Sequence, residues 1–171
     1  MGSYGAVLID SSTYCSYREP GTVEFYVSRA RRPDQAIQAL TQKAIAMFAR
    51  AALDGTRFRI HEFSVGCGGF YPECPQRVRP INPLSPFLES EVYRAEIAYM
   101  SYDDTKAVYY CRVPRDEAVA GLGEIGLWAE IIQSPLPFEI GTWFLHTVQH
   151  FPVITKVHSM VETFRIELQF A

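Results

Sequence analysis

The stretch LTQKAIAMFARAALDGTRFRIHEFSVGCGGFY, residues 40 to 71, decides the expected fold, because a helical period and a strand period meet within it. Apolar residues recur at steps of three and four residues up to its middle, which is typical of one face of an amphipathic helix. The series begins just before the quoted stretch and consists of Ile37, Leu40, Ala44, Phe48 and Ala51. With Asp34 as N-cap and the end at Asp54-Gly55, the pattern predicts one helix of about five turns.

Most of the chain after this helix is predicted to form β-strands. RFRIHEF, residues 57 to 63, alternates apolar and polar side chains, and the alternation then continues out of phase, which predicts a β-bulge near His61-Glu62. The other strand patterns are VYRAEIAYM (92–100) paired with KAVYYCRV (106–113), then EIGLWAEII (124–132), GTWFLHTVQHF (141–151) and MVETFRIELQF (160–170). The sequence therefore predicts an α+β fold in which an antiparallel sheet is covered by one long amphipathic helix.

The first thirty-two residues are predicted to form an N-terminal β-hairpin extension. GAVLI (5–9) and TVEFYVS (22–28) have the composition of short strands, and Pro20-Gly21 lies in the connecting loop as a turn signal. The expected organisation is therefore a hairpin arm over 1–32, followed by the main domain over 33–171.

Composition limits the classes of partner. The formal net charge is -3, which gives no general attraction for nucleic acid or for an anionic membrane, and no run of apolar residues is long enough to span a bilayer. Ten Tyr and eleven Phe make the chain rich in aromatic residues, which suit interfaces with other proteins. No cofactor is expected, because a chain of 171 residues can bury a sufficient core by itself.

The segment SVGCGGFYPECP, residues 64 to 75, raises the question of a metal site or a nucleophile. His61, Cys67 and Cys74 are the candidate residues, and a zinc ion would need a further ligand such as Cys111 or His158. Their spacing matches no known ligand pattern, so the favoured interpretation is a glycine-rich exit from a strand, with no catalytic or metal residue.

The remaining titratable groups suggest no site. His146 and His150 are an even number of residues apart and are expected to share a sheet face as satisfied or surface histidines. Glu89 and Glu91 are expected to be ordinary solvated or capping carboxylates.

Residues 66 to 88 form a proline-rich passage that is expected to be a stiff surface loop with contacts outside its own chain. It is longer than a compact domain needs, and prolines at this density exclude the interior of a sheet. The predicted interface residues lie in this passage, except for the last of them. They are Tyr71, Pro72, Pro75, Pro80, Pro83, Pro86, Phe87 and Tyr102.

Three blocks of the chain resemble the phage tail-collar fibre family, the N-terminal domains that attach tail fibres to a baseplate. The stretch 40–71 resembles the opening of that family. The second block, ESEVYRAEI (89–97), is similar to the family's N-E-V-Y-R-A-x-I strand. The third block, GLGEIGLW (121–128), is similar to its I-R-E-I-G-L-F segment. The family's structural positions fall on Gly55, Gly66, Gly68, Gly69, Tyr93, Arg94, Glu124 and Gly126.

The resemblance implies a non-enzymatic structural protein of a tailed-phage virion, made in the host cytoplasm. Its expected partners are other baseplate and tail-fibre proteins, in a homotrimer or a hetero-oligomer. Where the family has Gly-Asp-Gly, this chain has Cys67-Gly68-Gly69, so no role of that acidic residue transfers. Because no fibre shaft follows Phe170-Ala171, we expect an adaptor between baseplate and fibre.

Two alternatives belong to other functional classes. A carbohydrate- or receptor-binding module of the tail would place aromatic side chains around a shallow cleft. A small zinc or thiol enzyme would be centred on His61, Cys67 and Cys74.

Overall fold

In the computed structural model of the chain, the structure describes residues 14–15, 36–102 and 105–169. Eleven strands and one α-helix make up this part of the chain. In chain order they are β1 (Tyr14–Cys15), β2 (Ile37–Leu40), α1 (Gln42–Asp54), β3 (Arg57–Gly66), β4 (Phe70–Tyr71), β5 (Cys74–Val78), β6 (Glu91–Glu96), β7 (Tyr99–Tyr102), β8 (Lys106–Val113), β9 (Gly121–Gln133), β10 (Trp143–Thr155) and β11 (Glu162–Gln169).

Nine of the strands form two antiparallel sheets that share one core, and β4 and β5 pair separately as a two-stranded hairpin. The four-stranded sheet has the order β1-β11-β8-β7, and the five-stranded sheet has the order β2-β10-β9-β3-β6. Phe63 and Leu127 of the five-stranded sheet and Ile166 of the four-stranded sheet are buried in the same cluster. The rings of Phe151 and Phe164, one from each sheet, have centroids 5.5 Å apart. The sheets therefore pack face to face, as in a β-sandwich.

The alternation in β11 shows how the sequence produces this packing. Phe164, Ile166 and Leu168 are buried, whereas the intervening Thr163, Arg165 and Glu167 are only half-buried. This alternation confirms that the segment predicted as a strand over 160–170 is a strand with one buried face. Burying each of the three large apolar side chains contributes about 1.5 to 3 kcal/mol.

The prediction of a sheet covered by one long amphipathic helix is wrong. The helix has 13 residues, and its N-cap is Thr41, whose hydroxyl accepts a hydrogen bond from the Ala44 amide at 3.1 Å and donates one to the Leu145 carbonyl at 2.6 Å. The residues that suggested an earlier start, Ile37 and Leu40, instead form β2 against β10. Their apolar side chains fit either period, and strand pairing with β10 provides backbone partners that decide between them.

The helix also covers little of the sheet. Of its residues only Ala44 and Met47 are fully buried. They pack against Ala129, Ile131 and Phe144, at the end of the five-stranded sheet that the four-stranded sheet does not cover. Gly55 ends the helix with φ 75, so the predicted C-terminus is confirmed. The predicted N-cap Asp34 lies outside the described residues.

The predicted N-terminal hairpin over 1–32 lies outside the described residues, apart from Tyr14 and Cys15. These two residues were expected in the connecting loop, but their backbone pairs with Phe164 and Thr163 of β11. The division between an arm and a main domain at residue 33 stays a prediction.

The chain changes sheet at residues 97 and 98. A single strand over 92–100 paired with 106–113 was expected, but β6 pairs with β3 and only β7 pairs with β8. At the change, the amide of Ile97 donates to the His61 carbonyl at 2.9 Å, and the amide of Ala98 donates to the Tyr110 carbonyl at 3.0 Å. This segment therefore joins the edges of the two sheets.

The bulge predicted near His61-Glu62 is confirmed. Ile60 stands opposite Ala129 and Glu62 opposite Trp128, so His61 is an extra residue on β3. A second bulge, at residue 146 of β10, was not predicted.

The bulge at His146 turns this side chain away from the face that carries His150. The His146 ring is buried against the rings of Phe48, Phe58 and Phe144, at centroid distances of 5.6 to 6.3 Å. The expected shared face of the two histidines is therefore wrong, because the extra residue reverses the alternation. Burial lowers the pKa of His146 from 6.5 to about 4.

This burial predicts a loss of stability in mild acid. Between pH 6.5 and 4 the unfolded chain binds a proton at His146 that the folded chain does not, so the free energy of unfolding falls as pH falls through this range. The loss expected from His146 at pH 4.5 is roughly 2 to 3 kcal/mol. The free energy of unfolding, measured with urea, should differ less between pH 7 and pH 4.5 in His146→Phe than in the wild type. The control, His158→Gln, replaces an exposed histidine and should keep the difference of the wild type. Equal pH dependence in wild type and His146→Phe would contradict the prediction.

Candidate protein-interaction surface

The outer face of the five-stranded sheet is covered by the chain segment 67–90. We call this segment, together with the sheet residues Trp128, Arg94, Trp143 and His61, the loop face. Leu88 anchors the segment, because it is buried in a cluster with Trp128, Leu145 and Val148. Ile81 packs against the same cluster. The proline-rich segment is thus folded onto its own sheet rather than extended into solvent.

A buried carboxylate from β9 holds both ends of the segment. Glu124 is fully buried, and its Oε1 accepts hydrogen bonds from the amides of Gly68 at 3.1 Å and Ser90 at 2.7 Å. Its Oε2 accepts from the amide of Glu89 at 2.9 Å. Hydrogen bonds from backbone amides to a charged acceptor are among the strong ones in proteins, so these contacts stabilise the closed loop.

The same carboxylate explains the glycines that follow β3. A Cβ atom on Gly68 would lie 2.6 Å from Glu124 Oε1, and one on Gly66 would lie 2.5 Å from the Ser90 carbonyl. Gly69 has φ +82, and a Cβ there would lie 2.6 Å from the Gly123 carbonyl. The glycine-rich exit is therefore a close approach of backbone to a buried carboxylate, with one turn in the left-handed region.

A second polar group lies beside Glu124. Glu89 accepts from the Gly69 amide at 2.8 Å and forms an ion pair with Arg79. His150 donates from Nδ1 to the Arg79 carbonyl at 2.8 Å, which leaves its Nε2 4.0 Å from Glu124 Oε2. These contacts fix the middle of the segment to β10 and add to the closure by Glu124.

The outward side of the loop presents prolines and an aromatic ring. Pro72, Pro75, Pro80, Pro83 and Pro86 are all exposed. The Phe87 side chain is 65% exposed, and Leu84, three residues earlier in the chain, is also exposed. Because the segment is closed by buried hydrogen bonds, these apolar groups are held in place without a partner, which lowers the entropy lost on docking.

A row of aromatic and charged side chains continues from Phe87 across the sheet. The Phe87 and Trp128 rings are 6.2 Å apart, and the Arg94 guanidinium lies 4.0 Å from the centre of Trp128 and 5.3 Å from that of Trp143. The His61 ring is 4.6 Å from the Trp143 ring. Trp, Tyr and Arg are the side chains that most often dominate the energy of protein interfaces.

Polar contacts hold this row in place. Arg94 Nε donates to Glu62 at 2.6 Å, and the Trp128 indole donates to Ser64 at 2.7 Å. His61 Nε2 lies 3.1 Å from Glu130 Oε2. Arg94 therefore keeps a fixed position between the buried ring of Trp128 and the partly exposed ring of Trp143, at centroid distances that are typical of cation–π contacts.

The candidate residues for a zinc or thiol site are not brought together. His61 contacts Glu130 and Trp143, and Cys67 follows six residues later, just beyond the end of β3, which separates the two by roughly 20 Å. Cys74 is exposed on β5. In the part of the chain that the structure describes, no group of three or more His, Cys, Asp or Glu residues is placed to hold a metal ion.

The environment of Cys67 also does not activate its thiol. Burial, and secondly the negative charge of Glu124, raise the pKa of Cys67 above its ordinary value. A nucleophilic cysteine needs the opposite shift, which keeps the thiolate populated near neutral pH. Burial raises the pKa of Cys111 as well.

The predicted interface residues fall in two places. The first place is the segment 67–90, which holds Tyr71, the five prolines and Phe87. Tyr71 is half-buried in the β4–β5 hairpin, and the Arg77 guanidinium lies 4.8 Å from the centre of its ring. Tyr102 is 90% exposed, but it belongs to β7 at the edge of the other sheet. Of the family positions not yet placed, Tyr93 packs on the shared core, and Gly126 lies under Leu145 and Leu88.

Sequence reasoning missed the contacts of Glu89, Arg79 and His150. Glu89 was expected to be a solvated or capping carboxylate, but it holds Arg79 and a backbone amide inside the loop. No periodic signal connects these residues, because the closure of the loop and not the period of a strand brings them together. Residue spacing by itself does not reveal such contacts.

Comparison of the chain with protein-family models, with curated proteins and with solved structures finds no match. The helix that the structure describes lacks the length and apolar character needed to cross a membrane.

Proposed function

We propose that the protein is a structural component of a tailed-phage virion that connects the baseplate to a tail fibre, and that the loop face is its contact surface. The proposal places the protein in the tail of the virion, as a subunit bound to other baseplate and fibre chains. It follows from the resemblance of three sequence blocks to tail-collar fibre proteins.

The observation that carries the proposal is the arrangement of these blocks. The blocks contain β3, β6 and the first part of β9, and these strands are neighbours in one sheet in the order β9-β3-β6. Glu124 of the third block binds Gly68 of the first and Ser90 of the second. The resembling positions are thus one connected structural unit rather than scattered coincidences, which supports a shared origin.

The loop face favours a protein partner over a glycan. Arg94 lies over the ring of Trp128, and the Trp143 ring contacts both Arg94 and His61. Sugar binding needs open aromatic faces beside a cleft, and of these rings only Phe87 is mostly exposed. A fixed apolar loop beside an Arg–Trp cluster resembles the centre of a protein interface instead.

Phe87→Ala is expected to weaken incorporation into virions without loss of folding. Truncating a central aromatic residue of an interface costs about 2 kcal/mol or more, which corresponds to roughly thirtyfold weaker binding. The measurement is quantitative mass spectrometry of purified virions assembled with the variant. Phe138→Ala is the matched control, because Phe138 is 78% exposed and lies in the β9–β10 connection outside the loop face. Absence of the wild-type protein from purified virions would contradict the proposed function. Equal incorporation of Phe87→Ala and Phe138→Ala would contradict the role of the loop face.

A further inference from the structure

The helix α1 is held on the five-stranded sheet by few contacts. Of its 13 residues, Ala44 and Met47 are buried, whereas Leu53 is largely exposed. Its backbone joins another part of the chain at its first residue, where the Gln42 amide donates to the Pro83 carbonyl at 2.8 Å. The helix can therefore leave the sheet without breaking the pairing of any strand.

The buried side chain of His146 lies under this helix. Its ring contacts the rings of Phe48 on α1, Phe58 on β3 and Phe144 on β10. Its Nδ1 is 2.7 Å from the Thr147 hydroxyl, and its Nε2 has no hydrogen-bond partner among the residues that the structure describes. When the ring is charged, both nitrogens carry a hydrogen, so the N–H at Nε2 would be a buried donor without an acceptor.

The three rings around His146 differ in how firmly they are held. Phe58 and Phe144 belong to β3 and β10, which are internal strands of the five-stranded sheet with a neighbouring strand on each side. Phe48 belongs to α1 and is 38% exposed. Water therefore reaches Nε2 of His146 with the smallest loss of contacts when α1 leaves and the sheet stays intact.

No ion pair on the described elements around His146 compensates a charge on its ring. The charged side chains of α1 and β3 that are exposed are Lys43, Asp54, Arg57 and Arg59. Those of α1, β3, β9 and β10 that contact other groups are Arg50 with Glu139, His61 with Glu130, Glu62 with Arg94, and His150 with Glu124. Burial is accordingly the cause that lowers the pKa of His146.

We propose that α1 is an acid-released lid, which a proton on His146 frees from the sheet while the two sheets stay packed. Release of the helix hydrates both ring nitrogens of the charged histidine. The freed helix then unfolds, because an isolated helix of 13 residues is marginal in water. An apolar surface that includes Phe58 and Phe144 is thereby uncovered in acid and covered at neutral pH. This conformational device goes beyond the proposed function and does not depend on it.

Hydrogen exchange of the isolated full chain, followed by mass spectrometry, tests the release. Protection factors of the amides of residues 46–54 should fall roughly twentyfold from pH 7 to pH 5, given a pKa of about 4 for His146 under the helix and 6.5 after release. The amides of β9 and β11 should stay at least about tenfold better protected than these at both pH values. Unchanged protection of α1 at pH 5, or equal protection of α1 and the strands, would overturn the proposal.

Two variants separate the titrating group from the attachment of the helix. His146→Phe should give α1 the same protection at pH 5 and pH 7. Arg50→Gln removes the ion pair between α1 and Glu139, so exchange of α1 should rise about two- to fivefold at both pH values, with the pH dependence of the wild type. Wild-type pH dependence in His146→Phe, or its loss in Arg50→Gln, would refute the role of His146. The test uses the protein alone, so its failure would leave the proposed place in the virion untouched.

Discussion

Glu124→Ala is expected to lower the free energy of unfolding by roughly 3 to 5 kcal/mol, because the amides of Gly68, Glu89 and Ser90 would lose their shared acceptor. The carboxylate is fully buried, so water cannot replace it without opening the loop. A loss of this size is a large part of the roughly 5 to 15 kcal/mol that stabilises a typical domain.

Urea unfolding of three variants separates the buried carboxylate from a general effect of removing a glutamate. Glu124→Gln keeps one oxygen acceptor but turns the other into a donor, so an intermediate loss is expected. Glu91→Ala removes an exposed glutamate near the same loop and should change stability little. Limited proteolysis should cut segment 67–90 faster in Glu124→Ala than in the wild type. Equal unfolding midpoints for Glu124→Ala and Glu91→Ala would rule out closure of the loop by Glu124.

Gly69→Ala is expected to cost roughly 2 to 4 kcal/mol, from two separate causes. The residue has φ +82, which disfavours any side chain with a Cβ. The new Cβ would also lie 2.6 Å from the Gly123 carbonyl and 2.9 Å from the His150 ring, so backbone or a buried ring would have to shift.

Gly141→Ala is the matched control for the backbone conformation. Gly141 has φ +85, but a Cβ there meets nothing within 4 Å, so only the conformational cost of about 1 kcal/mol is expected. The difference between the two variants in urea unfolding measures the close approach beneath the loop. If the two variants are equally stable, the loop does not pack on Gly123 as closely as the structure indicates.

Some of the fold was predictable from local patterns. The alternation of β11, the C-terminus of α1 at Gly55 and the bulge at His61 all follow from periods and turn chemistry within a few residues. The start of α1 was not predictable in this way, because Ile37 and Leu40 fit a helix face and a strand equally well, and pairing with β10 decided between them. The change of sheet at residues 97 and 98 depends likewise on partners far along the chain.

The candidate surface shows the same division. The exposed prolines and Phe87 could be expected from composition, because prolines at that density exclude a sheet interior. The role of Glu124 could not be expected, since its three donors are 34 to 56 residues away in the chain. Arg94 likewise meets Trp128 and Trp143 only because β6, β3, β9 and β10 are adjacent in one sheet.

The amino-acid sequence by itself determined most of the strands that follow α1, most of their apolar faces and the end of the helix at Gly55, because these features depend on neighbours a few residues apart. Only the tertiary structure decided that the strands divide into two sheets, that the helix is short, and that a buried carboxylate closes the loop. These outcomes depend on which distant backbone amides, side chains and strand edges find partners, and local sequence does not contain that information.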